Sequence, residues 1–250
     1  MTALDDLCLT AFHDAPADLR ARILSRLADT ELFLALSTEP AADQADILLF
    51  DPGGGRAALA CDAEDRLSGF MGDAVPYAAM PGRVLAAMLA REGLSLLVNP
   101  GQRSEMMLDA ETLGWLGRAL DSAHVSAGQG DDMRLGPPRP DVVATLLAPL
   151  SQRLADMAGL AAGAALVGAE WPGGTRGHIL FLSGTAEAHR DALAKAMAEF
   201  FAFLPDIDGG LDVAFAETAL PRDGVLIDIP APVAPEPAAK RDPKAPPRLR

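Results

Sequence analysis

Asp51-Pro52-Gly53-Gly54-Gly55-Arg56-Ala57-Ala58-Leu59-Ala60-Cys61 opens the unit that decides the fold, and Leu94-Ser95-Leu96-Leu97-Val98-Asn99-Pro100-Gly101 closes it. Consecutive glycines between the apolar runs 47–50 and 57–61 read as a hairpin. Asp62, with Asp65 three residues on, reads as the N-cap of a helix whose Leu67, Phe70 and Met71 point one way. Val75-Pro76-Tyr77 is a short extended piece, and its proline suits an edge strand. Pro81 opens a helix with Val84, Leu85, Met88 and Leu89 facing the core, and Gly93 ends it. Residues 94–98 then form a buried strand that stops at a polar turn.

Upstream, residues 3–13 read as helical. A second helix follows Asp14 or Ala15 and carries Pro16 in its first turn, with Leu19, Ile23, Leu24 and Leu27 inward and Arg20, Arg22 and Arg26 outward. Glu31-Leu32-Phe33-Leu34-Ala35-Leu36 is apolar on both faces, as a central strand requires. Downstream, residues 105–108 form a strand, and Asp109 caps a helix with Leu113, Leu116 and Leu120 inward. Residues 121–140 have the glycine and proline content of a linker. Asp141 caps a helix in which Pro149 predicts a kink. Two strands at about 164–171 and 178–182 flank a hairpin loop, a helix spans about 185–203, and strands follow around Val213 and Ile227. These boundaries give an α+β chain with two mixed sheet-and-helix halves: a domain over 1–120, a linker over 121–140, a domain over 141–229 and a disordered Pro/Ala/Lys tail over 230–250.

The composition is that of a globular protein, 50% apolar and 22% charged, with a formal net charge of −14. Residues 230–250 hold five cations against two carboxylates, a net of +3, which leaves −17 on residues 1–229. An acidic body of this size argues against general nucleic-acid binding. The two cysteines, Cys8 and Cys61, suggest neither a disulfide framework nor a zinc site. The acidic start Met1-Thr2-Ala3-Leu4-Asp5-Asp6 lacks the basic region of a signal peptide, and no apolar run is long enough to span a bilayer. A cytoplasmic protein with no membrane association is expected.

Several pieces, taken in order, resemble the SseB family (enhanced serine sensitivity protein B). They are Glu31-Leu32-Phe33-Leu34-Ala35-Leu36, then Leu59-Ala60-Cys61-Asp62 leading into Glu64-Asp65-Arg66-Leu67, then Pro81-Gly82-Arg83 with Leu85-Ala86-Ala87-Met88-Leu89, and finally Leu97-Val98-Asn99-Pro100-Gly101. The likeness to that family's N-terminal domain covers about 30–118, and a looser likeness to its C-terminal domain covers about 137–229. Cys61 stands where an aromatic is commoner, and Ala35 where proline is common. The resemblance implies an α+β protein linked to serine sensitivity and supplies no catalytic residues.

The candidate chemistry is sparse. A phosphate cradle at Gly53-Gly54-Gly55 would need a following Gly-Lys-Ser/Thr and a helix, whereas Arg56-Ala57-Ala58-Leu59 continues as a strand. Asp206, Asp208, Asp212 and Glu217 have the spacing of a calcium loop, but Leu211 occupies the position that requires glycine. His13, His124, His178 and His189 show no one-face ligand spacing, and each reads as a surface or satisfied histidine. Ser183 lacks the glycine-flanked elbow of a nucleophile. Asn99-Pro100-Gly101 is the best candidate ligand site, because a polar turn at the carboxyl end of a buried strand is where α/β sites are often built. Its structural alternative is a turn in which the asparagine side chain bonds its own backbone. Glu31 and Arg83 are candidate neighbours.

These readings favour a non-catalytic SseB-like protein that binds another protein or a small metabolite, without cofactor or metal. The alternative is an enzyme or sensor of serine or amino-acid metabolism with a pocket near Asn99. A subunit of a homo-oligomer, assembled through an exposed sheet edge, is a third class.

Overall fold

The computed structural model describes residues 1–40, 45–51, 53, 55–121 and 133–231. Pro52 and Gly54 of the glycine turn, His124, most of the segment read as linker and the tail from residue 232 lie outside the described residues.

In the first half, α1 (Ala3–Leu7) and a short 3-10 turn lead into α2 (Ala17–Asp29). The sheet is built from β1 (Glu31–Ala35), β2 (Leu49–Phe50), β3 (Ala57–Cys61), β4 (Tyr77–Pro81), β5 (Ser95–Val98) and β6 (Met106–Leu108), interleaved with α3 (Glu64–Met71), α4 (Gly82–Arg91) and α5 (Ala110–Asp121). Its order is β4-β1-β3-β5-β6, with β2 also on β3. The hairpin read from the glycines is present: Leu49 pairs Ala58 across an antiparallel β2–β3 contact, and Gly53 and Gly55 take the positive φ it needs. All five residues of β3 are buried, and small side chains at Ala57, Ala58 and Ala60 suit a strand enclosed on both faces. β3 and β5 run parallel, so their carboxyl ends, Cys61 and Val98, open on one edge of the sheet. One face carries the main core, where Ile23 and Leu27 of α2 meet Leu85 and Leu89 of α4 and Leu113 and Leu116 of α5. α3 closes the other face with Leu67 over Ala35, Leu59 and Cys61.

Some sequence expectations are corrected. α3 starts at Glu64, two residues beyond Asp62, whose carboxylate oxygens are taken by Thr2 and Arg66 and do not cap the helix. Phe70 and Met71 do not join Leu67 in the core but are 52% and 38% exposed. Val84 is also solvent-facing, since α4 turns Leu85 and Leu89 toward α2. Asp109 caps α5 as expected, its Oδ1 accepting the Thr112 N–H at 2.8 Å.

The second half contains β7 (Arg134–Gly136), α6 (Pro140–Ala155), β8 (Gly163–Glu170), β9 (Arg176–Ser183), α7 (Glu187–Phe201), β10 (Leu211–Ala216) and β11 (Val225–Ile227). Its sheet is ordered β10-β9-β8-β11, with β7 also on β8. Part of the linker-like segment is therefore an edge strand, Leu135 pairing Ala169. β9 and β10 are parallel and joined through α7, as a crossover connection requires. α6 takes Arg139 as its N-cap and Pro140 as its first residue, so Asp141 lies inside the first turn and is not the cap. The helix runs unbroken through the buried Pro149.

The two halves meet through both apolar and ionic contacts. Phe203, just past α7, is buried in the first core and lies edge-on to Trp115 at 5.8 Å. The Asp29 carboxylate accepts from Arg83 and, at 2.6 Å, from Arg153, while Arg83 also reaches Glu199 at 2.8 Å. Arg26 pairs Asp156, and Arg22 donates to Gln152 at 2.9 Å.

Candidate functional site

The carboxyl ends of the parallel strands β3 and β5 gather the polar groups of the first domain. The Asn99 N–H donates to the Ala60 carbonyl at 3.0 Å, which extends the ladder one step past β5. The chain then turns: Gln102 N–H bonds the Asn99 carbonyl at 3.1 Å, with Pro100 and the positive-φ Gly101 between them, as in a type II turn. Asn99 itself has φ +47°, a left-handed conformation that asparagine tolerates better than most residues.

Its side chain does not bond its own backbone. Oδ1 accepts the Asp62 N–H at 2.9 Å, and Nδ2 donates to Ser104 Oγ at 2.9 Å. Ser104 in turn donates to Asp5 Oδ1 at 2.6 Å. The Arg66 guanidinium reaches both Asp5 oxygens and Asp62 Oδ1, the latter at 3.0 Å. Thr2 completes the set: its N–H donates to Asp5 and its hydroxyl to Asp62. Six polar side chains, on α1 and its N-cap, α3, the end of β3 and the turn after β5, thus converge, and each finds partners within the group. Asn99 and Ser104 are wholly buried, and Asp5 is 4% exposed.

The electrostatics of the cluster bear on Asp5 and on the neighbouring Cys61. The Arg66 hydrogen bonds hold the Asp5 carboxyl well below the usual carboxylate range. Burial, and then the Asp62 charge, pushes the neighbouring Cys61 thiol up to about 11, which keeps it from acting as a thiolate.

An open recess of about 460 Å³ lies beside the cluster, with Asp65, Arg66, Gly69 and Phe70 of α3 on one side and Pro100, Gly101 and Gln102 on the other. Three sequence candidates, Asn99, Pro100 and Gly101, are therefore at this edge, the first as a buried anchor and the other two as lining. Glu31 and Arg83 are not among the lining residues. Glu31 lies at the start of β1, opposite Pro81; Tyr77, at the other end of that strand pair, bonds Glu64 through its hydroxyl, and that bond, with burial and the Glu64 and Glu31 charges, raises the phenol pKa. Arg83 belongs to the ionic contact between the halves. Sequence reading missed Asp5, Arg66 and Ser104. Only the four-residue spacing of Asp62 and Arg66 signals their pairing across the start of α3.

Residues 7–115 match the family model of the SseB protein N-terminal domain. This segment is similar to the SseB N-terminal domain. The match covers the sheet, α2 to α4 and the polar turn, and the resemblance drawn above for residues 137–229 lies outside it. No match was found among curated proteins or solved structures. Among the described residues no helix is long and apolar enough to cross a membrane, and no group of three or more His, Cys, Asp or Glu side chains could hold a metal ion.

The turn at residues 99–102 gives a direct test of what Asn99 does. Asn99→Ala strips the Asp62 N–H and Ser104 of their partner and is expected to cost about 1–3 kcal/mol. Asn99→Gly loses the same bonds but relieves the positive φ, so it recovers at most about 1 kcal/mol of that. Denaturant titration of the pair separates the terms; a glycine variant as stable as the parent means that only backbone shape matters here.

Proposed function

We propose that this chain is a non-catalytic binding protein of the cytoplasm, whose SseB-like domain takes a small polar metabolite in the recess between α3 and the turn at residues 99–102. The observation that carries this reading is a recess built against a cluster that is already saturated. The buried polar groups consume one another and hold the wall rigid, leaving Asp65, Gln102 and the exposed edge of Phe70 to meet a ligand. Recesses of several hundred Å³ suit molecules of metabolite size. The serine-sensitivity link that the family likeness implies makes free amino acids, serine first, the ligands to try.

Calorimetric titration of the full chain with serine, other amino acids and nucleotides tests the reading. Gly69 faces the recess, and a Cβ there meets nothing within 4 Å, so Gly69→Phe fills the space without disturbing the fold. Saturable binding by one ligand, abolished in Gly69→Phe at unchanged thermal stability, is expected. Turnover of that ligand, or binding that survives the substitution, defeats the proposal.

A further inference from the structure

The second domain holds a separate cleft of about 490 Å³ where the β8–β9 hairpin meets β7 and the start of α6. Much of its lining is bare backbone. A Cβ on Gly168 would come within 2.7 Å of the Pro137 carbonyl oxygen, and one on Gly177 within 2.2 Å of the Gly209 carbonyl oxygen. Glycine is therefore required for these segments to approach as closely as they do.

The walls are cationic. Arg134, Arg139 and Arg176 line the cleft with two carboxylates, Glu170 and Asp208. On a chain of net charge −14, three guanidinium groups in one cleft run against the overall sign. Their present pairings are loose: Arg139 to Asp208 at 3.2 Å and to Asp141 at 3.5 Å, and Arg176 to Glu170 at 3.7 Å. Asp208 and Asp141 are largely exposed and Glu170 is half-exposed, so an incoming anion can replace these pairs at little cost. Arg134 makes no ion pair with a described residue.

His178 is the group that points to a ligand. It lines the cleft at only 2% exposure. Its Nε2 accepts the Arg139 N–H at 3.3 Å, which places the proton of the neutral ring on Nδ1. Burial first, and then the Arg139 charge, lowers the imidazolium pKa and keeps the ring neutral. Nδ1 is thus a buried donor with no acceptor among the described residues, a rare condition in folded proteins. The same Arg139 is the N-cap of α6, a 16-residue helix whose positive end opens here.

We propose that this cleft binds a phosphate-bearing small molecule. The phosphate oxygens meet the guanidinium forks of Arg139 and Arg176, with Arg134 at the rim and the His178 ring packed beside them. Three planar forks exceed what a single carboxylate can engage, whereas a phosphate dianion presents oxygens enough for all of them. Nucleic acid is disfavoured by the charge of the rest of the chain, which restricts the ligand to small molecules.

The test is titration of the intact protein with inorganic phosphate, with acetate at matched ionic strength as the control, read by calorimetry and by the proton resonance of His178 Nδ1. Phosphate is expected to bind and to shift that resonance, and acetate to do neither. Arg176→Gln, a substitution at a largely exposed side chain that leaves the fold intact, and Arg139→Gln should each weaken binding roughly tenfold, the loss of one charge-assisted hydrogen bond. Absence of phosphate binding at millimolar concentration, equal binding of acetate, or unaltered affinity in both variants overturns the proposal. Because Gly69→Phe acts in the other domain, failure of the recess there and failure of this cleft are read separately.

Discussion

Arg66→Met is expected to destabilise the protein by about 3–5 kcal/mol, because it removes the guanidinium that pairs with two buried carboxylates. Arg66 is 12% exposed at its side chain, Asp5 6% and Asp62 1%, so solvent does little to screen the loss. Thr2, Asn99 and Ser104 remain to donate, but none of them carries charge. On thermal unfolding the effect is a fall of roughly 10 °C or more. Arg66→Lys restores the charge without the two-pronged geometry and should recover only part of the loss.

The pH dependence gives the same prediction a second readout. In the parent the Asp5 carboxyl is held below its ordinary value of 3.8. A carboxyl depressed in the folded state contributes stability above its unfolded pKa and loses it as the pH falls, so this part of the parent's stability declines below about pH 4. In Arg66→Met the cation is gone and burial favours the neutral acid, which reverses the sign: the variant is expected to gain on the parent as the pH drops from 7 toward 5. Urea titrations at pH 5 and 7 check both statements. A stability deficit under about 1 kcal/mol at pH 7, or one that does not shrink at pH 5, rules out the ionic account.

The sequence made the frame of this arrangement legible but not the cluster. Glycine punctuation located the β2–β3 hairpin, and the apolar runs at 57–61 and 94–98 located the parallel pair whose ends carry it. What those ends bind was not readable, since Asp5 is 61 residues from Arg66 and 99 from Ser104. Local rules misassigned Asp62 for the same reason: an aspartate before an apolar run reads as a cap, yet here its N–H is taken by Asn99 and its carboxylate by Arg66 and Thr2. Val84, Phe70 and Met71 were placed inward by helical periodicity, which gives a stripe but not its width; packing against α2 and β3 leaves their side of the stripe in water. His178 is a different case. Its parity with Leu180 and Leu182 along β9 already put it on the helix-covered face, a signal that counting metal-ligand spacings passes over.

Gly82→Ala is expected to cost about 3 kcal/mol or more, at the severe end of overpacking, although alanine is the better helix former. Gly82 begins α4 at the point where that helix crosses the end of α2, and its N–H donates to the Thr30 carbonyl at 2.8 Å. A Cβ at this position would stand 2.0 Å from the Leu27 carbonyl oxygen and 2.9 Å from its carbon. Both are backbone atoms, so no side chain can swing aside and α4 must move off α2, opening the contact that joins Leu85 and Leu89 to Ile23 and Leu27. Gly69→Ala supplies the matched control. It lies within α3, a Cβ there meets nothing within 4 Å, and the same chemical change should stabilise by about 0.5–1 kcal/mol. Opposite signs for one substitution at two helical glycines isolate close approach as the cause; a Gly82→Ala variant that melts with or above the parent refutes it. The displacement should also reach beyond the first domain. Arg83, the next residue, holds Asp29 and Glu199 together, and moving the start of α4 pulls the guanidinium off that bridge. Hydrogen exchange in Gly82→Ala is therefore expected to rise at the end of α7 as well as in α2 and α4, which a purely local clash would not produce.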